Sequence, residues 1–383
     1  MSNVGQRETI TQNRVIQLFQ TQLNYTYLGN WQYRENNRDI ETEILSQWLS
    51  NQGINNTLIN KALRELDLAA TLGEIQNLYD ANKAVYSLLR YGVKVKEGAG
   101  EQTQTIWLID WENPENNHFA LAKEVTIKGK NNKRPDIVLY INGIALGILE
   151  LKRSIVSIGE GIRQNLDNQK KEFIRPFFTT LQLVMAGNDT QGLRYGTIET
   201  SEKYYLEWKE ENPEYNQQID PIEQKYLSNS TYESGDNLLD CALIRLCNKT
   251  RFLELIHNFI IFDKGIKKTC RHNQYFGIKA AQNYIQRREG GIIWHTQGSG
   301  KSLTMVWLAK WIRENTTDAR ILIITDRTEL DEQIEGIFQG VDENIYKTKS
   351  GSDLITILND INPWLICSLV DISKIVTLCG KRT

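Results

Sequence analysis

The stretch Arg134–Ser154, RPDIVLYINGIALGILELKRS, most narrows what this chain can fold into. Two apolar runs flank Asn142-Gly143, the dipeptide that most readily supplies the positive φ angles of a tight hairpin. The runs are apolar at nearly every position, so both faces of the hairpin are expected to be covered. Charge nevertheless enters at both ends, as Asp136 near the start and as Glu150 and Lys152 near the finish. A buried charge is costly unless it is paired or holds a metal ion. These three residues are therefore candidates for chemistry.

Whether they meet depends on the turn. Side chains alternate along a strand, so Glu150 and Lys152 share a face. A two-residue loop would pair Ile141 with Ile144, set Asp136 opposite Leu149 and turn Glu150 to the other face. A three-residue loop, Ile141-Asn142-Gly143, would make a G1 bulge and pair Asp136 with Ile148. It would gather all three residues, and an odd-length loop is the expectation. Gathered, they suit phosphodiester hydrolysis. Asp136 and Glu150 would hold Mg²⁺, which binds through one or two carboxylates plus water and phosphate. Lys152 would stabilise developing negative charge.

Elsewhere the pattern predicts helices over residues 1–90, including one that places Ile40, Ile44, Leu45, Trp48 and Leu49 on one side. Glu43 on that helix is a further acid within conceivable reach. Strands are expected in TIWLIDW, HFALAKEVTI and TTLQLVMAG, and a helix over Gly159–Phe173. The chain turns polar and charged at about residue 200, then strand–loop–helix–strand from Gly290 onward, the pattern of a parallel α/β sheet. The expected division is an N-terminal α+β domain over residues 1–200, a connector over 201–255 and an α/β domain over 256–383.

The α/β part carries IIWHTQGSGKSLTM. Ile292–Trp294 is expected as a strand leading into a Gly-rich loop. Gly298 and Gly300, with Ser299 between them, let backbone N–H groups turn inward onto phosphate. Lys301 and Ser302 open the next helix, whose N-terminus favours negative charge. Lys301 would reach the β/γ-phosphates of ATP, and Ser302 would ligate Mg²⁺. His295 stands where the strict pattern has glycine.

A formal net charge of -2 leaves no dominant basic field, so any nucleic-acid surface must be local. Lys123, Lys128, Lys130, Lys133 and Arg134 form one local cluster. Five cysteines without a C-x-x-C pair argue against a disulfide framework or a zinc site. No apolar run is long enough to cross a bilayer, and the polar N-terminus lacks a signal sequence. The reading is a soluble cytoplasmic protein with no membrane partner.

Pro135-Asp136 with Glu150-Leu151-Lys152 resembles the PD-(D/E)-x-K nuclease motif. RHNQYFGIKAAQ resembles the adenine-reading motif of superfamily 2 helicases, with Gln274 as reader. ILIITDRTELDEQI resembles a later helicase motif presenting Thr325, Asp326 and Arg327. Together with FFTTLQLVMAGNDTQGLRYGTIET and WHTQGSGKS, the chain is similar to the N-terminal portion of the restriction (motor) subunit of type I restriction–modification enzymes. The resemblance implies a nuclease-like α+β domain followed by an incomplete RecA-like domain. It also implies double-stranded DNA as substrate, and specificity and methyltransferase subunits as partners. That family carries Q-x-x-x-Y after the lysine. Here Gln164 fits by spacing, and Gln169 by helical periodicity with Ile162, Leu166 and Phe173. No Walker B acid follows PWLICSLV, so the expectation is a chain without ATP turnover. The alternative function is a nucleotide-binding motor fragment whose N-terminal domain only binds DNA or a partner.

Overall fold

The computed structural model describes residues 8–73, 77–210, 237–326, 328–340 and 344–369. Two compact units divide the chain. Among the described residues, the first holds those up to Ile260 together with Gly265–His272. The second holds Ile261–Lys264 and those from Asn273 onward.

Unit 1 begins with α1 (Glu8–Thr21), β1 (Thr26–Asn30), α2 (Thr42–Asn51), α3 (Asn56–Ala70) and α4 (Leu78–Tyr91). A small antiparallel pair follows, β2 (Val93–Lys96) with β3 (Thr103–Ile106). Next come β4 (Phe119–Lys123), β5 (Ile137–Ile141), β6 (Ile144–Leu151), α5 (Ile158–Asn168), β7 (Leu183–Asn188) and β8 (Gly192–Gly196). The main sheet has the order β1-β4-β5-β6-β7-β8. It is mixed: β1/β4 and β6/β7 are parallel, and the other neighbours are antiparallel. Helices α6 (Leu238–Cys247) and α7 (Lys249–Phe259) also belong to this unit.

The sheet is covered on both faces, as the continuous apolar runs require. Val138, Tyr140, Ala145, Ile148, Val184 and Ala186 line one face with Ile158 and Ile162 of α5 and with Phe177 and Phe178. On the other face the Phe119 ring meets Tyr25, which meets Phe19 of α1. Helix α7 closes so tightly on β6 that a Cβ on Gly147 would lie 3.1 Å from Phe252. A short strand, β10 (Ile266–Lys268), follows β9 (Ile261–Asp263) in sequence and belongs to unit 1. The buried Lys267 ammonium of β10 donates to Asn82 Oδ1 (2.7 Å), Gln182 Oε1 (2.6 Å) and the Leu181 carbonyl (3.3 Å).

The hairpin differs from the expected one. Its turn has two residues, with φ of 51° at Asn142 and 86° at Gly143. Ile141 pairs with Ile144 and Tyr140 with Ala145, but Leu139 then pairs with Gly147 and Val138 with Ile148. Leu146 is thus a surplus residue in β6, a bulge within the ladder. The turn is fixed by its surroundings. Asn142 donates to the Leu108 carbonyl and to Asn117 Oδ1, and its own Oδ1 accepts from the His118 N–H. Gly143 sits against α2, where a Cβ would lie 2.7 Å from the Glu41 carbonyl oxygen. Three side-chain hydrogen bonds hold Asn142 in the left-handed region, and the ladder takes up the surplus residue beyond it.

Unit 2 contains α8 (His272–Gln286), which enters it at Asn273, then α9 (Lys301–Asn315), β11 (Ile321–Thr325) and α10 (Thr328–Gly340). The short β12 (Tyr346–Lys347), α11 (Gly351–Leu358) and β13 (Leu365–Leu369) complete it. Its described strands form a parallel sheet in the order β11-β13-β12. Residues 292–294 form no strand. Ile292 and Trp294 are 89% and 90% exposed, lying outside the described sheet. An apolar run becomes a strand only when neighbours supply its hydrogen bonds, which its own composition does not settle.

Candidate functional site

The hairpin ladder runs to Ile137 opposite Leu149, and one further step sets Asp136 opposite Glu150. The Leu146 bulge therefore brings the two carboxylates onto one face by a different route from the one expected. Both are buried: Asp136 is 7% exposed and Glu150 0%. Lys152 lies two residues further on the same strand line, with its Nζ 3.9 Å from Glu150 Oε2. Its backbone N–H donates to the Gly187 carbonyl, which ties this end of the hairpin to β7.

Each carboxylate is held by donors. Asp136 Oδ2 accepts from the Leu151 N–H at 2.7 Å, and Oδ1 from Gln12 Nε2 at 2.9 Å. Glu150 Oε2 accepts from Gln164 Nε2 at 2.9 Å. Gln164 reaches it because α5 lies close on the sheet: a Cβ on Gly161 would stand 3.1 Å from Ala186 and 3.6 Å from the Glu150 Cβ. Glu150 Oε1 is buried without a hydrogen-bond partner among the described residues. Gln12 and Glu8 come from α1, and the Glu8 carboxylate stands 3.6 Å from Lys152 Nζ. Arg14 anchors α1 by ion pairs to Asp189, beside the β7–β8 turn, and to Asp240 of α6.

Gln169 is directed elsewhere. Helix α5 stops at Asn168, so Gln169 caps it, donating to the Asn165 carbonyl and accepting from the Glu199 N–H. The expected helix over Gly159–Phe173 is thus shorter. Glu43 is remote. Helix α2 packs at the turn end, where the Glu41 N–H donates to the Gly143 carbonyl, and β6 rises about 20 Å from there to Glu150.

Burial raises the Asp136 carboxyl to about 6, against the lowering effects of the Leu151 N–H and Lys152. Burial also raises Glu150 well above the carboxylate range, helped by the neighbouring charge of Asp136. Two acids facing one another in a buried site each disfavour the other's ionisation. The donor set fits a hard divalent cation: two opposed carboxylates, one with an oxygen lacking such a partner, beside an ammonium. Among the described residues no group of three or more His, Cys, Asp or Glu is placed to hold a metal. Any ion here would take its remaining ligands from water and substrate.

The Gly-rich loop of unit 2 has the features expected of a phosphate cradle. Gly298 and Gly300 have φ of 77° and 88°, and α9 begins at Lys301. Ser302 is buried in its first turn. Gln274 donates to the Gly300 carbonyl at 3.0 Å, so the adenine-reading candidate is in contact with the loop. Lys301 Nζ folds back on the His295 and Thr296 carbonyls at 3.3 and 3.2 Å. The His295 ring packs against α8, where a Cβ on Gly277 would lie 3.4 Å from Nε2. Arg327 lies outside the described residues.

A family model described as "Type I restriction enzyme R protein N terminus" matches residues 5–203, more than half of the chain. The chain belongs to the type I restriction enzyme R protein family. A SWI2/SNF2 ATPase model matches residues 273–377. Among curated relatives, the putative type I restriction enzyme MjaIXP endonuclease subunit of Methanocaldococcus jannaschii is 29% identical over 71% of this chain. The type I restriction enzyme HindI endonuclease subunit of Haemophilus influenzae is 27% identical over 79%. The matched part spans 28% of the length of each of these R-protein relatives. No helix among the described residues is long and apolar enough to cross a membrane.

Proposed function

We propose that unit 1 is a PD-(D/E)-x-K endonuclease domain that hydrolyses phosphodiester bonds of double-stranded DNA with Mg²⁺. Unit 2 is its RecA-like nucleotide-binding companion, taking ATP at Gly298–Ser302 with Gln274 against adenine. The chain works in an assembly with specificity and methyltransferase subunits, where ATP-driven translocation precedes cleavage. The observation that carries this reading is the opposition of Asp136 and Glu150 beside Lys152 at one end of a buried hairpin. A domain that only bound DNA would have no use for two buried acids set against one another.

Asp136 and Glu150 would hold the cation, which would polarise the phosphate and lower the pKa of bound water. Gln12 and Gln164 fix the orientation of these two carboxylates. Lys152 supplies the positive charge that stabilises the pentacoordinate phosphate as the 3′ oxygen departs. Glu8, across from Lys152, fixes where that ammonium points.

The test is nicking of supercoiled plasmid by the purified chain, alone and with its partner subunits, in Mg²⁺ or EDTA. Nicking in Mg²⁺ should fall by about 10²-fold or more in Lys152→Ala, with the circular dichroism spectrum unchanged. Equal cleavage by wild type and Lys152→Ala would remove this site from the chemistry.

A further inference from the structure

Beside the carboxylates, the β4–β5 connection carries Lys128, Lys130, Lys133 and Arg134. It continues the ladder that carries Asp136: the Glu124 N–H donates to the Asp136 carbonyl, the Val125 N–H to the Pro135 carbonyl, and Ile127 bridges to Lys133. Its tip is clasped to the segment that follows α5. The Asn131 N–H and Nδ2 donate to the Glu172 carbonyl at 3.0 and 2.9 Å. Lys133 Nζ stands 4.0 Å from the centre of the Phe173 ring, and a Cβ on Gly129 would lie 2.5 Å from the Phe173 carbonyl oxygen. The clasp joins the backbone beside Lys171 to the backbone beside Lys130, about 40 residues apart in sequence.

Lys170 is paired with Asp167, and Arg134 with Glu124. Lys128, Lys130 and Lys171 are exposed and have no acidic partner among the described residues. Three unneutralised ammonium groups on a fixed backbone stand out on a chain of net charge -2. Gln164, which touches Glu150, lies four residues, about 6 Å, before the end of α5 at Asn168, and Lys170 follows two residues later. From this we infer that the clasped tip is a rail for the phosphate backbone of duplex DNA, holding the substrate against the carboxylate pair. The inference rests on the DNA-cleaving reading of that pair. A polyanion with a charge every ~1.7 Å of axis suits closely grouped cations whose backbone is already ordered.

The experiment measures duplex binding by the full chain in EDTA, by fluorescence anisotropy, from about 50 to 200 mM salt. Each cation that meets phosphate contributes about 0.9 to the slope of log K against log salt. Lys128→Ala/Lys130→Ala/Lys171→Ala should therefore flatten the slope by about 2.7, and weaken binding at least tenfold at low salt. Lys94→Ala/Lys96→Ala, on β2, should leave the slope unchanged. An unchanged slope in the triple variant overturns the rail even if wild type cleaves DNA. A flattened slope with no Mg²⁺-dependent nicking keeps the rail and removes the nuclease reading. Binding of polyglutamate but not of duplex would assign the patch to an acidic protein and overturn the rail.

Discussion

Asp136 makes the metal-free protein less stable as pH rises, and the size of the effect follows from its surroundings. Burial moves its carboxyl from 3.8 to about 6. The difference of about 2.2 units, at 1.36 kcal/mol each, corresponds to about 3 kcal/mol. The sign follows from proton linkage. Between pH 4 and 6 the unfolded chain releases this proton while the folded chain keeps it, so folding stability falls as pH rises. The contribution is fully present below pH 4 and lost above pH 6. Asp39 is also raised to about 6 by burial, so the wild-type profile alone is not diagnostic. The informative quantity is the difference from Asp136→Asn, which keeps the shape, removes this titration and also relieves Glu150 of the neighbouring charge that raises it, so about 3 kcal/mol is the lower bound of that difference. Urea unfolding, read by pulse proteolysis of unit 1 peptides, should show the wild type losing about 3 kcal/mol or more relative to the variant between pH 3.5 and 7.5. At an m value of about 3 kcal/mol/M this is a relative midpoint shift of about 1 M. Mg²⁺ at 100 times its Kd should restore about 2.7 kcal/mol at pH 7.5 in wild type only. Parallel wild-type and variant profiles would refute the reasoning, because the acids would then not be desolvated against one another.

Gly143→Ala should destabilise unit 1 by about 2 kcal/mol or more, read as a urea midpoint. It forces a left-handed φ on a side chain and pushes a methyl group into the Glu41 carbonyl. In unit 2, Lys301→Ala should weaken binding of a fluorescent ATP analogue about tenfold or more in a direct titration. Gln274→Ala should cost adenine nucleotides about 2- to 10-fold relative to guanine nucleotides, the worth of one hydrogen bond.

The candidate residues were more legible in the sequence than the geometry that assembles them. Asp136, Glu150 and Lys152 stood out because charge on an apolar hairpin needs a reason. Gly298, Gly300 and Lys301 stood out because few backbones other than a phosphate loop use that order. Gln164 was legible from its distance to Glu150, whereas periodicity favoured Gln169 only by assuming a helix longer than α5. Gln12 and Glu8 carried no signal. They reach the site from α1, and Gln12 lies 124 residues from Asp136, so no local pattern reports the contact. The turn was misjudged for a related reason. Asn142 is held by Leu108, Asn117 and His118, which precede the hairpin, and these tertiary bonds decided between two loops that local propensity allows.

The bulge at Leu146 has a consequence for how this hairpin tolerates changes of length. Between the two acids lie five residues on β5, the two of the turn, and six on the β6 side, one more than pairing needs. Losing one residue from the β6 side, or gaining one on β5, would use up the excess and leave Asp136 opposite Glu150. The opposite changes would slide one acid past the other and send it to the far side of the sheet. Insertions and deletions here should therefore be accepted in one direction only, a bias imposed by counting residues along two strands rather than by what those residues are.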